Sequence, residues 1–165
     1  MKKAILFKTL VDVLYIFHFI GLIGIIPILT FGTVKINQAN TNVEDWNIIY
    51  WLLFIASIFT YIIFLRGLYF LRKMARFLLT KRYFSDKTVQ NLKNSGKHFL
   101  YTGILYSIII VFLWINKLRN GKFEITYNDN ILIPFFLCIV GMFFIIQSNA
   151  LGLAKDIKEE NELTV

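Results

Sequence analysis

The residues able to do chemistry in this apolar chain are few, and they are dispersed. Its two histidines, His18 and His98, do not form the HExxH arrangement of a zinc protease, and Cys138, the one cysteine, has no CxxC partner. Neither GxSxG nor GxxxxGKS occurs, so the chain has neither a nucleophile elbow nor a phosphate-binding loop. We therefore predict no catalytic residues, no metal site and no cofactor, and we expect the protein not to be an enzyme.

Two ionisable residues within the first apolar run form a candidate intramembrane polar site. Asp12 follows Lys8 by one helical turn, and this spacing favours a local ion pair over a proton relay. His18 lies deeper, and we favour a hydrogen bond to a neighbouring helix over a sensing or ligand role. The pair leaves open an alternative function as a small transporter or channel.

The composition identifies a membrane protein. Of 165 residues, 57% are hydrophobic and 17 are phenylalanine, and the mean hydropathy is +0.62. A soluble domain carries nearer to 45–50% apolar residues, so most of this chain belongs in lipid. The net charge of +8 lies beside apolar runs and outside any recognisable nucleic-acid module, so we expect no direct binding of nucleic acid.

The sequence predicts an all-α protein with four transmembrane helices in a single domain. The spans are residues 9–29, 47–65, 98–115 and 131–154, each long enough to cross ~30 Å of hydrocarbon. Fourteen of the eighteen basic residues fall in the amino end, the central connection and the tail, against four in the other two loops. The positive-inside rule therefore places both termini in the cytoplasm. In the third span, hydroxyl groups such as those of Thr102 and Ser107 are expected to bond across the bundle.

The connection 66–97 holds nine of the basic residues against the single acid Asp86. Its first part, residues 66–80, forms an amphipathic helix that extends the second span, and either a bilayer surface or a protein groove could cover its apolar side. The basic residues form a predicted surface for anionic lipids or a partner: Arg66, Arg72, Lys73, Arg76, Lys81 and Arg82.

A short second cytoplasmic helix is predicted before the third span. Ser85 suits the N-cap, Asp86 favours the positive end of the helix dipole, and Gly96 can end the helix.

Two separated stretches, RYFSDKTVQNLKNSGKHF and GLAKDIKEENELTV, resemble the bacterial family of domains of unknown function numbered 2975 (DUF2975). The positions that carry the resemblance are Phe84, Ser85, Val89, Leu92 and Gly96 in the first stretch, and Lys158, Glu159, Glu160, Asn161, Glu162, Leu163, Thr164 and Val165 in the second. Ile157 and Val165 replace a leucine and an isoleucine of the family pattern and keep its apolar character.

The resemblance implies a multi-pass protein of the bacterial inner membrane, often associated with a small helix-turn-helix transcription regulator. The leading hypothesis is therefore a non-enzymatic regulator or scaffold that captures a cytoplasmic partner. A transporter or channel is one alternative, and a protein that organises anionic lipids is another. The sequence also leaves a homo-oligomer open.

The tail 155–165 is a candidate partner peptide or latch. It carries four acidic side chains against two lysines, opposite in sign to the basic connection. Its proposed contact residues are Lys158, Glu159, Glu160, Asn161, Glu162 and Leu163.

Overall fold

The computed structural model describes residues 2–31, 33–36, 39–42, 48–80, 84–119 and 131–163. In chain order, these form α1 (Lys2–Phe31), β1 (Thr33–Ile36), β2 (Ala39–Asn42), α2 (Ile48–Leu79), α3 (Asp86–Arg119) and α4 (Leu132–Leu163). Each of the four helices is long and apolar enough to cross a membrane. The chain is therefore a multi-pass membrane protein.

The connection between α1 and α2 contains two short β-strands. β1 and β2 pair antiparallel, with Thr33 opposite Asn42 and Ile36 opposite Ala39. β1 has the sequence TVKI, three of whose four residues are β-branched, which explains its preference for the extended conformation.

The helices are much longer than a bilayer requires. α2 and α4 contain 32 residues each and α3 contains 34, or ~48–51 Å of helix against ~30 Å of hydrocarbon. The excess lies at the end of the bundle where α1 begins, α2 passes into α3, and α4 ends. We call this the basic end, and define its helical parts as residues 2–8, 66–80, 84–97 and 150–163.

The prediction of a short separate helix before the third span is wrong, because α3 runs unbroken from Asp86 to Arg119. Ser85 does cap its start: the Thr88 amide donates to Ser85 Oγ at 3.3 Å. Gly96 does not end a helix. It lies inside α3, where a Cβ atom would come within 2.7 Å of the Gly141 carbonyl oxygen on α4. Its role is to let two helices approach closely.

The buried core lies toward the basic end. α1 packs on α2, α2 on α3, and α3 on α4. The buried apolar side chains are Val11, Leu65, Leu68, Leu71, Met74, Ala75, Leu92 and Phe99. Toward the other end, large apolar side chains of α3 and α4 such as Ile108, Phe112 and Phe136 are exposed, as lipid-facing residues are.

α3 and α4 meet along a seam of small residues. A Cβ atom on Gly103 would lie 2.7 Å from the Pro134 carbonyl oxygen, and one on Gly141 would lie 2.6 Å from the Leu100 amide. At the basic end, the Val89 side chain faces Gly152. The α4 positions along this seam are spaced alternately by four and three residues: Pro134, Cys138, Gly141, Ile145, Ser148, Gly152 and Lys155. This spacing is typical of left-handed coiled-coil packing.

Candidate functional site

A groove of about 700 Å³ opens between the end of α2 and the start of α3. We call it the basic groove. Its lining contains three cations, one carboxylate, two amides and one aromatic ring: Lys73, Arg76, Phe77, Asp86, Lys87, Gln90 and Asn91. This set of donors suits an acidic ligand, because ammonium, guanidinium and amide groups all donate to carboxylate or phosphate oxygens.

Residues 66–80, the last part of α2, form one wall of the groove. Leu71, Met74 and Ala75 of this segment are buried inside the bundle. Lys73 and Arg76 consequently point away from the core. The Lys73 ammonium lies 4.7 Å from the centre of the Tyr69 ring, a cation–π contact that holds it near α2.

The first two turns of α3 supply the other wall. The Ser85 cap fixes where the helix begins, and this sets the positions of Lys87, Gln90 and Asn91. The Asn91 amide donates to the Lys87 carbonyl at 2.6 Å, and the Gln90 amide donates to Asn94 Oδ1 at 3.3 Å. These hydrogen bonds fix the orientation of both amide groups.

Among the described residues that line the groove, Asp86 is the one carboxylate, and its charge is balanced by a lysine. Lys155 of α4 donates to Asp86 Oδ1 at 2.6 Å. Lys155 keeps only 19% of its side chain exposed, against 84% for Asp86. The positive charges of Lys73, Arg76 and Lys87 therefore dominate the groove.

The structure divides the six basic residues predicted to form one surface. Arg66 is exposed on α2 outside the groove lining, Lys73 and Arg76 line the groove, and Lys81 and Arg82 lie outside the described residues. Arg72 turns toward α1, where its Nε donates to Asp12 Oδ1 at 2.5 Å. It is thus a structural residue that joins two helices.

Asp12 sits between two cations. Lys8 Nζ lies 2.7 Å from Asp12 Oδ2, as the one-turn spacing predicts, and Arg72 takes the other oxygen. The Arg72 guanidinium also lies 5.2 Å from the centre of the Tyr15 ring. These contacts make Asp12 the polar anchor of α1 on α2.

His18 belongs to a row of aromatic rings that crosses all four helices. Its ring centre lies 5.2 Å from that of Phe64, which lies 5.7 Å from Phe99, which in turn lies 5.9 Å from Phe144. His18 Nδ1 is 2.8 Å from the Leu14 carbonyl oxygen on its own helix, and the Tyr61 hydroxyl donates to the His18 carbonyl at 2.9 Å. The interhelical hydrogen bond at His18 therefore uses its backbone.

Ser95 makes a cross-bundle hydroxyl bond that the sequence analysis misses. Ser95 Oγ donates to the Gly67 carbonyl at 2.9 Å, joining α3 to α2. Thr102 and Ser107 instead donate to His98 and Gly103, four residues earlier on the same helix. Thr88, Ser95 and Thr102 are all buried and lie seven residues apart. This seven-residue spacing is visible in the sequence and could have predicted that the three hydroxyl groups share one buried face of α3.

The tail is helical as far as Leu163, the last residue of α4. Its described ion pairs include Lys155 with Glu159 at 3.4 Å and Lys158 with Glu162 at 3.5 Å. The ion pair between Lys155 and Asp86 joins the tail to the central connection. Here the tail supplies the cation and the connection supplies the carboxylate, whereas the predicted latch pairs acidic residues of the tail with basic residues of the connection. Glu160 and Asn161 are exposed, and Thr164 and Val165 lie outside the described residues.

Comparison with known proteins identifies the family. A family described as "Protein of unknown function (DUF2975)" matches residues 34–165. The chain belongs to the DUF2975 family. The match covers the basic groove and the tail, whereas Asp12 and His18 on α1 precede it. No curated protein and no solved structure matches this DUF2975 chain.

Proposed function

We propose that this DUF2975 protein is a non-enzymatic membrane scaffold or regulator that captures a cytoplasmic partner at its basic end. The observation that carries the proposal is the position of the core. Leu68, Met74 and Leu92 are buried beyond the predicted spans, next to the basic groove. Packing of this kind keeps a surface in one shape, as recognition of a protein partner requires.

The charge distribution supports a cytoplasmic location for this surface. Both termini and the connection 66–97 hold fourteen of the eighteen basic residues, so the positive-inside rule favours the bacterial cytoplasm for the basic end. Anionic lipids of the inner leaflet would attract the same charges and help to hold this end near the membrane.

The partner that we propose is a small helix-turn-helix transcription regulator, as the resemblance of residues 84–96 and 158–165 to the family pattern implies. The groove would receive an acidic segment of that protein, because its cations and amides are matched by carboxylates. Capture would hold the regulator at the membrane without direct contact between this chain and nucleic acid.

The described contacts favour this role over transport. A transport pathway needs polar groups that are available to a moving ligand, but Asp12 is held by Lys8 and Arg72. The aromatic rings from His18 to Phe144 contact one another between neighbouring helices at their level.

Site-specific photo-crosslinking tests the proposal. A photoreactive amino acid replaces Gln90 in the groove or, as a matched control on the same helix, the lipid-facing Ile108. In cells that produce a candidate helix-turn-helix regulator, we expect a crosslink at position 90 and none at 108. Combining the groove probe with Arg76→Gln and Lys87→Gln should abolish the product. A regulator that crosslinks equally at both positions, or at neither, would contradict the proposal.

A further inference from the structure

The face of α4 that packs on α3 continues beyond the level of Asp86, where α3 begins. The seam positions Ser148, Gly152 and Lys155 are followed, at the same spacing, by Glu159 and Glu162. Lys155 is level with Asp86, the first residue of α3. Glu159 and Glu162 therefore lie ~6 Å and ~10 Å further along the α4 axis, where α3 no longer covers them.

The projecting part of α4 presents its carboxylates on a stiff helix. Pairs one turn apart, Lys155 with Glu159 and Lys158 with Glu162, brace the last two turns. The Glu159 and Glu162 side chains remain 58% and 65% exposed, so each carboxylate can accept further hydrogen bonds.

The basic groove carries the charge opposite to that of this face. Arg76 and Lys87 are exposed, and Lys155 neutralises Asp86. The ion pair between Lys155 and Asp86 also holds α4 against the start of α3. Because α4 continues unbroken beyond this ion pair to Leu163, its last two turns do not fold back on the bundle.

We propose that two copies of the chain associate at the basic end, with the Glu159 and Glu162 face of each tail lying in the basic groove of the other copy. The two contacts are equivalent, as in a two-fold symmetric interface. Because the bilayer gives both copies the same orientation, it raises the effective concentration of tail and groove for one another. This association goes beyond the capture of a partner, and because both would use the basic groove, the tail of the second copy and the regulator compete for it.

Charge exchange between full-length chains tests the association. One variant reverses the groove with Arg76→Glu and Lys87→Glu, and another reverses the tail with Glu159→Lys and Glu162→Lys. A matched control, Arg66→Glu, reverses an exposed cation outside the groove lining. Each purified protein, with no regulator present, is labelled and reconstituted into liposomes, where energy transfer between copies reports association.

We expect the unmodified chain and the Arg66→Glu control to associate equally, and each reversed variant to lose association about tenfold. A mixture of the two variants should recover it, because both reciprocal contacts are again between opposite charges. A chain carrying all four reversals should recover it as well. Circular dichroism confirms that every variant keeps its helices.

Several outcomes would overturn the proposal. These are an unmodified chain that is monomeric in liposomes, a reversed variant that associates fully, and a mixture that fails to recover although the chain with four reversals does so. The last result would assign the contact to a single chain. The liposomes contain no regulator, so these results report the association of two copies alone, whereas the groove crosslink in cells reports the capture of a regulator.

Discussion

At the scale of single residues, the ion pairs at the basic end differ in what they join. Lys8 and Asp12 lie on one helix, whereas Arg72 and Asp12 join α1 to α2. The second pair is partly buried, with 26% of Arg72 and 14% of Asp12 exposed. Since α1 buries only Val11 among its described apolar side chains, polar contacts have an unusually large part in holding it.

Arg72→Gln should therefore destabilise the protein by about 1–2 kcal/mol, because it removes a charged hydrogen bond that joins two helices. Asp12→Asn should cost more, since it leaves both Lys8 and Arg72 without a carboxylate. Unfolding in mixed micelles measures both. Arg66→Gln, an exposed position on the same helix, should be neutral, and an equal loss at positions 66 and 72 would contradict the interpretation.

Ser95→Ala should cost about 0.5–1 kcal/mol, because the bond from Ser95 to Gly67 joins two helices. Ser107→Ala removes a bond of the same length within one helix and should change stability by less than about 0.5 kcal/mol. The same unfolding assay compares the two. If both substitutions have the same effect, the hydrogen bond between helices stabilises the protein no more than the one within a helix.

At the scale of elements, the seam between α3 and α4 determines how the basic end is built. Gly96, Gly103 and Gly141 each allow one backbone to approach another, and a methyl group at any of them meets backbone atoms at 3.0 Å or less. Backbone cannot rotate away as a side chain does, so the cost of added volume is a shift of the helices themselves. The closeness of α3 and α4 keeps Asp86 within reach of Lys155.

Gly96→Ala should destabilise the chain by about 1–3 kcal/mol through overpacking. Gly152→Ala lies on the same seam, but its new methyl group meets only the Val89 side chain at 3.9 Å, an ordinary contact. It should be neutral or stabilise by up to about 1 kcal/mol, because alanine favours the helix. Thermal unfolding of the two variants side by side checks the contrast, and a tolerated Gly96→Ala would show that the seam can relax.

The sequence alone predicts some parts of these elements better than others. Hydropathy predicts four helices able to cross a membrane, because lipid imposes one simple requirement on every segment that crosses it. The Ser85 cap is predictable because its partner is only three residues away. The unbroken α3 is not, because glycine can end a helix or let another helix approach, and only the presence of Gly141 opposite Gly96 distinguishes the two.

At the scale of the whole molecule, the candidate site depends on contacts that are distant in sequence. The local pattern groups Arg72 with Lys73 and Arg76, yet its side chain bonds to Asp12, sixty residues earlier. The groove exists because α2 and α3 pack together, and no single stretch encodes its shape. The sequence could therefore predict the charge of this end, but not which charges remain available to a ligand.

Cysteine accessibility tests the orientation of the whole bundle. With Cys138→Ser as background, Lys87→Cys places a thiol in the groove and Asn40→Cys places one in β2. A membrane-impermeant maleimide added to intact spheroplasts should label position 40 and should reach position 87 only after the membrane is permeabilised. The distribution of basic residues is the physical reason for this expectation. Labelling of position 87 from outside would show that the orientation is the reverse of the predicted one.

The unbroken course of α3 makes the molecule a lever. Residues 98–115 lie in the predicted span, and the same helix continues without interruption to Asp86 in the groove. Asp86 is twelve residues from the start of that span, or ~18 Å along the axis, so a change of about 10° in helix tilt would displace the groove by about 3 Å. Tilt responds to the thickness of the surrounding bilayer. A thinner or thicker membrane would thus displace the charges of the basic end.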